Sequence, residues 1–294
     1  MPFHHGRTNY IPNILLGIFL IICAIFCLYP ILYVVFASFS DPMLLAQHTG
    51  LLLHPLSPTL GGYKRAFAFE NIWTGYFNTI RIVFFGTILN MVITTMAAYA
   101  VSRRDLKLWK LMNLMCIVTM FFSGGLIPTY LVIRNLKLVD STFALILPVA
   151  LSTWNLIILR VSIQSLPPGL LESARIDGAS DYIILLKIVV PLIKATLAVI
   201  AFYYVVGHWN SWFNAMIYMR TRNKFPLQLI LREILITNSL NVESNMAMDM
   251  TSLDRYKQLV KYCTTVIATL PILFIFPFFQ KYFVKGVLVG SIKG

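Results

Sequence analysis

Charge is scarce in this chain, and negative charge is scarcest. Only 12% of the 294 residues are charged, and eleven Asp and Glu stand against twenty-four Lys and Arg. No acidic residue falls inside the long apolar runs, which argues against a channel or a proton- or sodium-coupled transporter with carboxylates near the bilayer midplane. No glycine-rich phosphate loop ending in Gly-Lys-Ser or Gly-Lys-Thr occurs, so the chain is not expected to hydrolyse ATP itself. Cysteine is limited to Cys23, Cys27, Cys116 and Cys263, all in apolar runs. Cys23 and Cys27 share a helix face, but no His or carboxylate lies near them, so all four read as small buried hydrophobes rather than metal ligands. No cleavable leader is expected. The first apolar run is too long for a signal-peptide core, has no small-residue cleavage site, and is expected to remain as an anchor.

What is abundant is apolar side chains, 58% of the sequence. They gather into six runs of about twenty residues, the length that crosses about 30 Å of hydrocarbon as a helix. The runs cover residues 13–39, 76–101, 111–133, 142–163, 188–208 and 259–279. Unpaired backbone is not tolerated in lipid and the runs are too long for barrel strands, so the expectation is an all-α, multi-pass membrane protein with six transmembrane helices. Pro30, Pro128, Pro148, Pro271 and Pro277 lie inside the runs and are expected to kink them. The formal net charge of +13 is distributed at the flanks of the runs, which suits lipid headgroups rather than nucleic acid.

Arg103, Arg104, Lys107 and Lys110 in the short segment 102–110 read as cytoplasmic. Alternation then places both termini and the loop 164–187 inside, and the loop 211–258 outside. Arg220, Arg222, Lys224, Arg232, Arg255 and Lys257 make that outer connection basic, against the usual bias, but long segments orient weakly. Segment 40–75 reads as irregular. Within 211–258, residues 225–235 are apolar at helical spacing with Arg232 and Glu233 facing away. They read as an amphipathic helix on the membrane surface, on a partner, or on the chain itself. Met246, Met248 and Met250 there would offer an adaptable apolar docking surface.

The most specific feature is LLESARIDGASDYIILLKIVVP at 170–191, a polar insert between the fourth and fifth runs. Pro167 and Pro168 start a helix well, Gly178 permits the turn that ends it, and Ser180 or Asp181 is placed to cap the next. Glu172, Ser173, Ala174, Gly178 and the ending Ile188, Val189, Val190, Pro191 have the spacing of the "EAA" loop and resemble that loop of ABC importer permeases. Ser173 replaces the second Ala and Val190 replaces a Leu. The ending FFQKYFVKGVLVGSIKG, residues 278–294, resembles carbohydrate-importer permeases of the maltose type. Residues 123–148 and 209–219 resemble the subgroup for oligosaccharides or polysaccharide fragments. The resemblance runs over nearly the whole chain and is weakest at 40–75.

The resemblance implies the type I ABC importer permease fold as one transmembrane domain, with a coupling loop at 164–187 and a cytoplasmic tail at 280–294. Glu172, Ser173, Ala174, Asp177, Gly178 and Pro191 would receive the ATPase stroke. Gly286, Gly290 and Gly294 would let the tail enter the ATPase interface as a thin, flexible strand. It implies a second permease subunit as a heterodimer partner, two ATPase subunits carrying ATP and Mg, and an extracellular or periplasmic solute-binding protein. It further implies a bacterial cell membrane location and no cofactor or metal on this chain.

A path through apolar helices is expected to be lined by their polar and aromatic exceptions. These are Asn90, Thr94, Thr95 and Tyr99, then Ser123, Thr129 and Tyr130. Ser152, Thr153, Trp154 and Asn155 follow, then Tyr203, Tyr204, His208, Trp209 and Asn210. Rings stack on sugar faces and amides bond hydroxyls, so the set suits a carbohydrate; the same residue types also form interfacial belts and helix-to-helix bonds. Lys194, Arg160 and Arg81, near span ends, read as snorkelling charges, and if such cations faced the path they would favour acidic sugars. A permease for a non-sugar solute is the alternative. Ser123, Gly124 and His208 also invite an intramembrane serine protease reading, but Phe121 occupies the position where that signature has Gly.

Overall fold

The computed structural model describes residues 10–237 and 250–291. Every regular element among them is helical, and they divide into two compact units, Met1–Phe69 with Ile234–Thr269 and Glu70–Glu233 with Leu270–Gly294.

In the first unit, α1 (Tyr10–Ser38) is unbroken, and Pro30 lies inside it. None of its most apolar stretch is buried within the chain. Cys23 and Cys27 are accordingly exposed on α1, a correction to the expectation of burial, whereas Cys263 is buried. The segment expected to be irregular holds two short helices, α2 (Pro42–Gln47) and α3 (Gly61–Phe67). Asp41 caps α2, its carboxylate accepting from the Met43 and Leu44 amides at 2.8 and 3.2 Å. Gly62 allows α3 to approach residue 263, where a Cβ would stand 2.6 Å from the Cys263 sulfur.

The second unit is built around α4 (Glu70–Ser102), which has no internal proline and runs straight through the second expected span. The third span is broken into α5 (Trp109–Phe121) and α6 (Leu126–Asn135), bent by 112°. Gly125 between them has φ 83° and ψ 179°, a backbone state open essentially to glycine alone. The fourth is α7 (Phe143–Ile146), a 3-10 turn containing Pro148, and α8 (Thr153–Gln164), bent by 49°. Next come α9 (Pro168–Ile176) and α10 (Asp181–Ile183), a π-helical stretch at Ile184–Val189, and α11 (Val190–Leu192). α12 (Lys194–Trp209) then turns 86° from that arm. The fifth run, expected as one helix over residues 188–208, is therefore corrected to two segments broken at Ile193. Pro191 lacks an N–H and its ring displaces the preceding carbonyls, and the chain breaks its helix two residues later.

α13 (Trp212–Tyr218) and α14 (Leu227–Thr237) follow. Of the alternatives for the amphipathic helix, packing on the chain itself is observed. The Leu227 amide donates to Thr79 Oγ1 at 2.8 Å, and Gly75 lies so close that a Cβ would meet Ile230 at 2.6 Å. Arg232 does not face away, its guanidinium lying 4.7 Å from the Trp212 ring centroid. The last helix, α15 (Met250–Ser291), contains Pro271 and Pro277 without interruption. Among the described residues, three helices are thus long and apolar enough to span a membrane, or up to six spans if each bent pair counts as one.

Candidate functional site

The insert between the fourth and fifth spans takes its shape from a few residues. Pro168 occupies the first turn of α9, and the Ser173 hydroxyl bonds back to the Gly169 carbonyl at 2.7 Å. At its end the Ala179 amide donates to the Ala174 carbonyl and the Gly178 amide to that of Arg175, both at 3.0 Å. With Gly178 at φ 79° this is a Schellman stop. Ala174 is buried while Glu172, Ser173, Asp177 and Gly178 are exposed, so one face of α9 packs and the other is left open. Ala174, Ile184 and Leu185 belong to the same apolar cluster as Ala98 and Val101 of α4 and Leu159 of α8. Pro191 is exposed beyond the π-helical stretch.

Asp181 does not cap α10 through its side chain, nor does Ser180. Its carboxylate is taken by Arg103 and by the Tyr99 hydroxyl, the latter at 3.2 Å. Arg103 also donates to Asp105 from Nε at 3.0 Å and from a terminal nitrogen at 2.5 Å, and Arg175 of α9 stands 3.7 Å from Asp105. The Arg103 hydrogen bonds hold the Asp105 carboxyl down at about 2, and the Asp105 partner raises Arg103 above its ordinary value. Tyr99, expected on the substrate path, thus lies at this ion cluster. Neither Arg103 nor Asp105 is marked as a site residue by the sequence, in which Arg103 serves only as an orientation signal. Beside them is a cavity of about 280 Å³ lined by Tyr99, Arg103, Asp181 and Tyr182, among others.

Deeper in the unit, the expected path residues form buried cross-links between helices. Asn90 donates to the Val149 carbonyl at 2.5 Å and its side-chain oxygen lies 2.8 Å from His208 Nε2. Thr94 pairs with the Tyr204 hydroxyl at 2.7 Å, which also accepts from the Ser152 amide at 3.1 Å. Gly86 admits His208, for a Cβ there would meet its Nε2 at 2.5 Å. Asn155 is buried, with its amide 3.4 Å from the capping Ser152 hydroxyl. Trp154, Tyr203 and Asn210 are instead exposed, and Tyr203 also touches Phe283, ring centroids 6.1 Å apart. Thr129 bonds back to the Gly125 carbonyl at 2.7 Å, and Tyr130 stacks on Tyr218 at 6.3 Å.

At the other end of the unit, Asp140 accepts from the Arg220 and Thr221 amides at 3.0 Å, the Thr221 hydroxyl at 2.7 Å and Lys224 Nζ at 2.8 Å. Lys224 first, then these amides, hold its carboxyl far below the usual range. The C-terminal expectation of a thin strand is corrected, because the backbone of Gly286 and Gly290 continues α15 as helix. Gly294 lies outside the described residues, as do Met246 and Met248. Among the described residues, no group of three or more His, Cys, Asp or Glu gathers to hold a metal.

Apolar spans, continuous or bent, with an exposed two-helix insert between the fourth and fifth, have the build of a membrane permease. The chain is 37% identical over 286 residues to the polygalacturonan/rhamnogalacturonan transport system permease protein YtcP of Bacillus subtilis, covering 97% of this chain and 99% of that one. It is 40% identical over 265 residues to the protein LplC of Bacillus subtilis, covering 90% and 89%. A crystal structure of a bacterial ABC transporter that imports the acidic polysaccharide alginate contains a chain superposing with TM-score 0.85 at 31% identity, over 96% of this chain and 100% of that one. No protein-family model matches. The chain belongs to the permease subunits of ABC transport systems for sugars and oligosaccharides.

Proposed function

We propose that this chain forms one half of an ATP-driven import pathway for acidic oligosaccharides in a bacterial cell membrane. The observation that carries the coupling is the insert, whose α9 presents Glu172, Ser173 and Asp177 to a partner while Ala174 anchors it to α4 and α8. A separate ATPase dimer would dock there from the cytoplasm, a second permease would complete the pathway, and a solute-binding protein would deliver substrate on the opposite side. The C-terminal end of α15 would reach the same ATPases.

The acidic character of the substrate draws on two kinds of support. YtcP is named for polygalacturonan and rhamnogalacturonan, and the alginate importer for an acidic polysaccharide. In this chain Arg134, Lys137, Arg220, Arg222, Lys224 and Arg232 outnumber Asp140 and Glu233 on the face proposed to be external, against the orientation bias of Lys and Arg. A cationic mouth raises the local concentration of an anionic substrate. In proteoliposomes holding the complete complex, oligogalacturonides should accumulate only with ATP and binding protein, and size-matched neutral oligosaccharides poorly. Equal uptake of the neutral sugars would refute the acidic substrate, and uptake without ATP would refute the importer.

A further inference from the structure

The Arg103 cluster joins parts of the chain that are far apart in sequence. Asp181 begins the second helix of the insert, Arg175 lies on the first, and Arg103 follows the last residue of α4. Arg103 is the hub, holding Asp105 with two donors and Asp181 with a third. A guanidinium can do this because its donors are fixed in a plane, so its two carboxylate partners are held at a set geometry. The Arg103 side chain is only 16% exposed, so solvent screens it less than an ordinary surface ion pair.

The end of α4 is also fastened by neighbouring helices. Trp109 Nε1 donates to the Val101 carbonyl at 2.9 Å, and Gln164 donates to the Ser102 carbonyl at 3.3 Å. From the last residue of α4, Ser102, Thr94 and Asn90 lie about 12 and 18 Å up the helix at 1.5 Å per residue. Those two residues hold Tyr204 and His208 of α12 and, through Val149, the bend of the fourth span. A displacement of the insert therefore has a continuous bonded route along α4 to the helices of the pathway.

We infer that Arg103 is a positioning residue that latches the insert to α4, so that α4 moves with the insert and carries the ATPase stroke to the Thr94 and Asn90 cross-links. The inference rests on the insert being the ATPase coupling element. Without the latch, the ATPases still dock on α9, but their closure no longer moves α4 as one body with the insert. ATP hydrolysis then runs without responding to loaded binding protein.

The test uses the reconstituted complex and compares Arg103→Gln, Asp181→Asn and the double variant for ATPase co-purification and for basal and binding-protein-stimulated hydrolysis. Each single variant should retain the ATPase subunits and lose stimulation at least about fivefold, the lower end of usual coupling factors. The double variant should lose no more than the worse single, since both break one latch. Arg103→Lys, able to hold one carboxylate but not both, should recover part of the response. Stimulation at the wild-type level in either single variant, or losses that multiply in the double, would overturn the latch. If Arg103→Gln fails to reach the membrane, Asp181→Asn decides, because it removes a carboxylate partner and leaves Arg103 in place; normal stimulation in it refutes the proposal. Glu172→Lys is the separate control for the docking surface. Its loss of the ATPases, alongside normal stimulation in the latch variants, would sink the latch alone, whereas normal uptake in Glu172→Lys would sink the coupling assignment itself.

Discussion

Asp140 and Gly86 have single-residue roles that can be measured. Asp140 ties the turn after α6 to the segment after α13 with four donors on one carboxylate. Asp140→Ala leaves the Arg220 and Thr221 amides without their acceptor and should destabilise the permease by about 1–2 kcal/mol, read as an earlier thermal transition in detergent. Gly86→Ala forces a methyl against His208, which cannot move without releasing Asn90. That overpacking should cost about 1–3 kcal/mol by the same measurement. Asp105 allows a test by pH. Its carboxyl sits at about 2 in the folded chain against an ordinary 3.8, so its contribution is present above the ordinary value and is lost as pH falls through about 2. The gap in thermal stability between wild type and Asp105→Asn should hold steady from neutral pH down to about 5 and close below about 4. A gap that instead changed between pH 6 and 8 would contradict the cluster's charge state. None of these roles was legible in sequence. Asp140 and Asp105 look like ordinary loop acids, and Gly86 like one glycine in an apolar run, because what matters is the partner that the fold brings from far along the chain.

At the scale of the element, the insert was the most legible part. Pro168 at the start and Gly178 at the stop are local signals, and local signals decide short exposed helices. Gly178→Pro should abolish ATPase association while leaving membrane insertion intact, because proline fixes φ near −65° where the turn uses 79°. Gly178→Ala should weaken it less, since alanine reaches that region at about 1–2 kcal/mol. Normal association of the proline variant would show that the turn is not needed for docking. The breaks in the third, fourth and fifth spans were not legible. An apolar run reports its length but not its direction, and the decisive conformation at Gly125 is selected by packing. Pro30, Pro271 and Pro277 look in sequence like Pro148 and Pro191, yet only the last two lie at or beside a break.

For the whole molecule, composition alone was enough to recognise a multi-spanning protein, since six apolar runs leave few other ways to satisfy the backbone in lipid. The polar residues inside the runs were visible as exceptions, but their roles were not. Asn90, Thr94, Tyr204 and His208 turn inward and bond one another, while Trp154, Tyr203 and Asn210 stay exposed. A sequence marks a residue as polar; whether it faces a path or a neighbouring helix depends on how the helices rotate in the packed unit.

The central claim is that the insert lies on the ATPase side of the membrane and receives the stroke there. It is tested most directly by a single cysteine at Ile176, 86% exposed at the end of α9, with the four native cysteines replaced by serine. An impermeant thiol reagent should leave Ile176→Cys unlabelled in intact cells and label it in inside-out vesicles, with bound ATPase subunits slowing the reaction. Asn223→Cys, on the face proposed to be external, should show the reverse sidedness. Labelling of Ile176→Cys from outside intact cells would put the insert out of reach of ATP and contradict the account.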